Sequence, residues 1–273
     1  MLLFLYMNNF KIVKLKKLPI VVNIPHSSTF ISQDLKKDFL LSSVKLEGFA
    51  KNLADLYADE LFSGVYKKSG ALISKLSRVA VDVERFWKNE CEPMSKVGMG
   101  ALYEKDEQGN IVRIISRKSL SLGQDFYQAY HGALNELTAE CLKKFGYCII
   151  LDCHTYPDKP RQYDMNKRGK RPEICLGTDI FHTPKSLTNS FKKRFLAKKF
   201  SVAENTPFKG TIVPDGYFGK DKKVFSLMIE INRRVYMNER NFVKKNNFKK
   251  IVNDLADCVL DATNEFIGGY AKR

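Results

Sequence analysis

No stretch of the sequence approaches the ~18 consecutive apolar residues that a helix needs to cross a bilayer, so neither a membrane-spanning helix nor a membrane partner is expected. There is no internal repeat, no low-complexity segment and no linker rich in Pro, Gly and Ser, which leaves a single domain over residues 1–273 as the expectation. None of the six cysteines belongs to a CxxC pair. Several of them lie inside apolar runs, as Cys148 and Cys153 do in YCIILDC, so buried free thiols in a reducing cytoplasm are expected rather than disulfides. Only four histidines are available for imidazole chemistry. The opening MLLFLYM is apolar but short, with no basic residue before it and no small-residue cleavage site after it. It reads as a first strand, or as a segment ahead of a start at Met7, and not as a signal peptide.

What is present is enough for a large core: 273 residues, of which 44% are hydrophobic. The net charge is +16, from 46 basic and 30 acidic residues. Lysine dominates and is scattered, with small clusters at KLKK, KKF and KKNNFKK. Without an RNA-binding aromatic signature or zinc-finger spacing, this reads as a solvated lysine-rich surface and argues against a nucleic-acid partner. A positive field also suits an anionic small-molecule substrate.

The run LPIVVNI, ending at Pro25 and His26, reads as a buried strand. Residues 44–63 place apolar side chains three and four apart and predict one amphipathic helix with Asp55 in its middle. GALISKL and SRVAVDV read as short strands, and residues 91–110 as a loop. Residues 119–146 predict a long helix capped by Gly146. GYCIILDC and VFSLMIEIN read as further buried strands, and 187–200 and 247–267 as helices. Buried strands alternating with helices predict an α/β fold with a mostly parallel central sheet flanked by helices. Such sheets bind ligands beyond the carboxyl ends of their strands. On this reading His26, Asp82 with Arg85, Asp152 with His154, and Glu230 with Arg233 occupy four strand ends.

Two neutral imidazoles can share a zinc ion, and His26 with His154 is the candidate pair; capping or hydrogen-bonding roles are the alternative. Thr29 stands where an HxxE site would supply a carboxylate, so a third ligand must come from elsewhere, and Asp55 is the candidate. Ligating histidines usually pass their second N–H to a carboxylate, a task that fits Asp82 and Asp152, which otherwise cap the next element. Glu230 ends a very apolar segment, where desolvation favours proton uptake and suits a general base; a buried ion pair with Arg233 or Arg85 is the alternative. Arg85 and Arg233 are candidates for a bidentate grip on a substrate carboxylate. His131, inside a helix, is a core or surface histidine or a further substrate contact. His182 receives no role.

The series NIPHSSTFI, ADLYADELF, SRVAVDVERF, GMGALY, FYQAYHGAL, ILDCHTYP, EICLGTD, PFKGTI and LMIEINRRVYM, in that order, resembles the N-formylglutamate amidohydrolase family. The resemblance implies a fold and site similar to zinc carboxypeptidases, one bound zinc ion, and metal-dependent hydrolysis of the amide bond of a small anionic N-acyl amino acid such as N-formylglutamate. It matches His26 and His154 to the metal histidines and Glu230 to the catalytic glutamate of an E-x-N-R segment. Asp82 and Arg85 match a D-x-N-R segment in which Glu84 replaces Asn. Two departures bear on the substrate: FKGTIVPDGYFGK lacks the Gly-Gly and basic-aromatic stretch of the family, and DCHT stands for DLHS. They keep open the alternative of a non-enzymatic ligand-binding or interaction protein on the hydrolase fold.

Overall fold

The computed structural model describes residues 9–162, 164 and 170–270. The MLLFLYM segment lies outside the described residues. Seven strands, β1 (Phe10–Val13), β2 (Ile20–Ile24), β3 (Gly70–Ser74), β4 (Cys148–Tyr156), β5 (Ile174–Gly177), β6 (Val202–Glu204) and β7 (Val224–Asn232), form one sheet in the order β1-β3-β2-β4-β7-β5-β6. β8 (Met237–Asn238) and β9 (Val243–Lys244) make a small separate ribbon. The helices are α1 (Gln33–Lys36), α2 (Ser43–Leu53), α3 (Ala58–Leu61), α4 (Ser63–Tyr66), α5 (Arg117–Phe145), α6 (Lys185–Ala197) and α7 (Phe248–Tyr270).

β4 runs parallel to β2 and to β7, while β5 is antiparallel to β7 and parallel to β6. Every residue of β2, β4 and β7 is buried. That is why these strands read as continuous apolar runs instead of alternating: a parallel strand covered on both faces has no solvent side to mark. The fold divides into two compact units. One holds Ile24–Leu56, Leu72–Leu134 and the described residues up to Ile12; the other holds Val13–Asn23, Tyr57–Ala71 and the described residues from Asn135 on. In the second unit α7 packs on α6, with Glu265 gripping Arg194 at 2.7 and 3.1 Å and Phe266 edge-on to Phe225.

The predicted strands β2, β3, β4 and β7 are present, as are the long helix α5 and the helices α6 and α7. Gly146 ends α5 with φ +80°, a conformation that costs a side chain dearly, and its N–H returns to Leu142 O at 2.8 Å. Three expectations are corrected. Residues 44–63 are not one helix: α2 stops at Leu53, Ala54 is extended, and Tyr57 takes φ +68° before α3 begins. Asp55 therefore sits in a break, its N–H bonded to His26 O at 2.8 Å. Apolar spacing continues through the break, so periodicity alone cannot reveal it. SRVAVDV is not a strand but a buried turn, in which Ser77 O accepts from Ala80 N at 2.9 Å and Val81 N at 3.1 Å. A short apolar run is compatible with either. Finally, β4 and β7 extend past their apolar stretches, so Asp152, His154 and Glu230 lie within strands and not beyond them. Of the four supposed strand ends, His26 follows β2 and Arg233 follows β7, while Asp82 follows no strand.

Candidate hydrolytic metal site

In the first unit, His26 stands just past β2 and is buried. Its Nε2 lies 2.8 Å from Oδ1 of Asp82. Asp82 is the hub of this unit. Its Oδ2 accepts from Arg78 Nε at 3.0 Å, Arg78 Nη2 at 2.8 Å and the Tyr103 hydroxyl at 2.8 Å, and its Oδ1 also accepts from Glu84 N at 3.1 Å. Burial is the largest influence on Asp82 and favours its neutral form. Arg78, His26 and Arg85 together outweigh it and hold the carboxyl well below the usual carboxylate range. An ionised Asp82 makes Nε2 of His26 the donor. Nδ1 then faces Asp55 Oδ2 at 3.7 Å and Glu84 Oε2 at 3.9 Å. Burial and Arg78 oppose a charge on this ring, but Asp82 and Asp55 overcome them and raise its pKa. Positive charge at this position is thus favoured by its surroundings.

In the second unit, His154 and Glu230 are register partners on the neighbouring parallel strands β4 and β7, so their side chains leave the same face of the sheet. Asp152, two residues before His154, shares that face. Its Oδ1 lies 2.9 Å from His154 Nε2 and accepts from Asn23 Nδ2 at 3.0 Å; its Oδ2 accepts from Ile212 N at 3.0 Å. The imidazole of His154 is therefore held at Nε2 by a buried carboxylate, as that of His26 is.

His26, Glu84 and His154 each offer one ligand atom, and these atoms all lie within 4.8 Å of one another. Two imidazoles with Nε2 held by aspartates, plus one carboxylate, form a donor set that fits a divalent ion bound through nitrogen and oxygen. Glu84 was visible in the sequence only as the residue standing for Asn in the D-x-N-R segment. Asp55, the expected third ligand, lies beside His26 but outside the three-donor group.

Arg85 is placed between two buried carboxylates, with Nε 3.7 Å from Asp82 Oδ2 and Nη1 3.9 Å from Glu92 Oε1. Neither distance is a hydrogen bond. Glu92 spends its oxygens on Phe86 N and Met94 N, both at 2.9 Å. Arg85 is thus compensated in charge while its donors stay uncommitted. His131, on α5, donates Nε2–H to Val83 O at 2.7 Å, and Tyr127, whose ring lies 4.3 Å away, donates its hydroxyl to Arg85 O at 3.0 Å. The pair braces the backbone that carries Glu84 and Arg85. Arg233 is buried in the 3₁₀ turn after β7. His182 bonds Val224 O through Nδ1 at 2.7 Å and accepts from Gly219 N at 2.8 Å, the environment of a structural histidine. Arg78, Tyr103, Asn23 and Glu92 were not anticipated; the only signal was the four-residue spacing of Arg78 from Asp82.

A mixed α/β sheet protein with a His-Glu-His donor set is the class that fold and site define. The N-formylglutamate amidohydrolase family model matches residues 18–237, and the chain belongs to that family, whose reaction is the hydrolysis of an amide. Among solved structures, the N-formylglutamate amidohydrolase from Ralstonia eutropha JMP134 is similar with a TM-score of 0.82 at 21% identity, over 96% of this chain and 99% of that one. The gene product Atu2144 from Agrobacterium tumefaciens is similar with a TM-score of 0.69 at 17% identity, over 95% of this chain and 96% of that one. These likenesses show the fold. No curated protein matches the sequence.

Proposed function

We propose that this protein is a zinc-dependent amidohydrolase with a zinc-carboxypeptidase-like site, acting on a small anionic N-acyl amino acid, with N-formylglutamate as the leading candidate. The observation that carries the reading is the pair of histidines, each with Nε2 held by a buried aspartate, whose donor atoms lie within 4.8 Å of each other and of one from Glu84. In this proposal His26, Glu84 and His154 hold the ion, with Asp55 in reserve as a further carboxylate beside His26. When bound there, such an ion would supply Lewis acidity toward the scissile carbonyl and toward water.

The chain's own groups do the rest. Glu230, next to His154 across the strand pair, takes the proton of the attacking water and returns it to the leaving amine, so that amide and water become carboxylate and amine. Asp82 and Asp152 hold the imidazoles by Nε2 and so fix the tautomer in which Nδ1 is the ligand atom. Arg85 grips the substrate carboxylate with two parallel hydrogen bonds, and the buried Arg233 is the second candidate for that grip. The six free thiols accord with a cytoplasmic setting.

The test is metal analysis of the purified protein, followed by a screen of N-acyl amino acids for amine release. One zinc per chain, turnover of an acidic N-acyl amino acid, and loss of metal in both His26→Ala and His154→Ala are expected. Metal content unchanged in both variants overturns the site. Full metal loading with no turnover across the screen favours a binding protein on the hydrolase fold.

A further inference from the structure

The lysines that look scattered in the sequence gather at one edge of the second unit. In a parallel sheet all strands begin on the same side, and β2, β4 and β7 are mutually parallel neighbours. Each is preceded by a pair of exposed lysines: Lys16 and Lys17 before β2, Lys143 and Lys144 before β4, Lys222 and Lys223 before β7. A fourth exposed pair, Lys67 and Lys68, is tied to the first by Lys16 Nζ on Lys67 O at 2.9 Å and Lys17 N on Lys68 O at 3.4 Å. Lys144 Nζ bonds Lys16 O at 2.6 Å, and Cys148 N bonds Lys223 O at 2.9 Å, which links the remaining pairs. The three parallel strand starts span only roughly 10 Å.

The acids beside these four lysine pairs are fewer than the lysines. Asp221 Oδ1 accepts from Lys223 N, and Asp179 Oδ1 accepts from Phe181 N and His182 N; Glu140 is a single exposed acid one turn before Lys144. Beside the last lysine pair stand two exposed apolar side chains. Ile180 is fully exposed and Phe218 about half exposed. Both are fixed near the start of β7: His182 bonds Val224 O, the Phe218 ring stacks on His182 at 5.8 Å, and Lys222 Nζ lies 6.0 Å from the Phe181 ring. None of these paired basic residues is an arginine, so nothing here offers the fork that reads a base edge.

We propose that this edge docks the protein on an acidic phospholipid surface, the lysines meeting the headgroups and Ile180 with Phe218 entering the interface. A basic cluster plus an apolar anchor is the two-signal combination that holds a peripheral protein on a membrane. The arrangement leaves the hydrolytic groups free. His154 lies six residues further along β4 than Cys148, roughly 20 Å from the lysine edge.

The experiment is co-sedimentation of the whole protein with vesicles of phosphatidylcholine alone or mixed with acidic phosphatidylglycerol. Binding to the mixed vesicles only, and its release by about 1 M salt, is expected. Each lysine near such a surface is worth about fivefold in partitioning. Lys17→Glu/Lys68→Glu/Lys143→Glu/Lys223→Glu should therefore lower binding at least a hundredfold, and the same positions changed to Gln provide a milder set should the reversal unfold the chain. Ile180→Ser should weaken binding severalfold at unchanged charge. Equal binding to both vesicle types, or to neither, overturns the proposal. So does tighter capture by duplex DNA at equal phosphate concentration with Ile180→Ser without effect, which assigns the edge to a nucleic-acid backbone.

Discussion

The two histidines meet the same requirement in opposite ways. Each needs a buried aspartate on Nε2. Around His26 that aspartate is held by charge: Asp82 takes a two-pronged bond from Arg78, a tyrosine hydroxyl, and the field of Arg85. Around His154 it is held by neutral amides, the Asn23 side chain and the Ile212 backbone. The difference follows from where each sits. Asp152 lies inside a hydrogen-bonded sheet, where the Asn23 side chain of the neighbouring strand and the Ile212 N–H of the segment between β6 and β7 reach it. Asp82 lies in a turn with no ladder around it, and ions must fix it in place. The sheet side carries Glu230 next to its histidine; the turn side carries Arg85. On the proposed reading, the proton-transfer group sits within the sheet, and the anion-gripping group sits within a network of charges.

Glu230→Gln gives the largest expected effect. The amide is nearly isosteric and cannot take a proton, so kcat should fall by at least the ~10²-fold typical of general-base loss while metal content and melting temperature hold. Normal turnover in a folded, metal-loaded variant would move the base from the sheet side to the turn side, with Asp82 or His131 next in line.

The two aspartates should separate in stability. Asp82→Asn leaves the Arg78 guanidinium without its buried anion and should cost about 3–5 kcal/mol by chemical denaturation. Asp152→Asn exchanges one neutral-to-anion contact for a mismatched amide and should cost about 1–3 kcal/mol. On the proposed reading both orient a metal-binding imidazole, so both should weaken metal binding about 10–100-fold. Equal stability losses would remove the distinction between an ionic and a neutral mounting.

Acid sharpens the same contrast. The folded pKa of Asp82 lies well below its unfolded value. Between those two values the unfolded chain binds the extra proton, so this contribution is fully present above the ordinary carboxylate range and is lost as pH falls toward the folded value. Denaturant midpoints should therefore drop below about pH 5 more steeply in the wild type than in Asp82→Asn. Parallel pH profiles would show that Asp82 does not carry its charge into the fold.

How much of this was legible in the sequence follows the same line. The sheet side was readable because β4 and β7 are unbroken apolar runs, and a polar residue inside such a run, His154 or Glu230, stands out at once. The one error there was length, since the ladder continues through the polar residues. The turn side was readable only as residue types. Nothing in the spacing of ADLYADEL announces the break that brings Asp55 beside His26, because its apolar positions satisfy a helix and a broken helix equally. Nor does the sequence separate the SRVAVDV turn from a strand, and Tyr103 reaches Asp82 from 21 residues away. The lysine edge was hidden for a related reason. Each pair is unremarkable alone, and only the parallel order of the strands brings them together.

The smallest expected effect, on Arg85, asks whether the turn side serves the substrate at all. Arg85 stands 3.7 and 3.9 Å from Asp82 and Glu92 without hydrogen-bonding either, and both acids have other partners. If these acids serve only to keep the guanidinium charged and aimed, Arg85→Ala should raise KM for an acidic N-acyl amino acid by roughly 10-fold or more, equivalent to the loss of one charge-assisted contact. Melting temperature should shift little. Arg85→Lys should recover only part of the loss, because an ammonium cannot form the fork. A substrate whose carboxylate has become an amide should show a smaller penalty, since the partner that Arg85 recognises is gone. The opposite pattern has a clear meaning as well. If Arg85→Ala melts several degrees lower and penalises acid and amide substrates alike, then Arg85 belongs with Arg78 in the charge mounting of His26, and the substrate carboxylate must be gripped from the sheet side, where Arg233 is the remaining candidate.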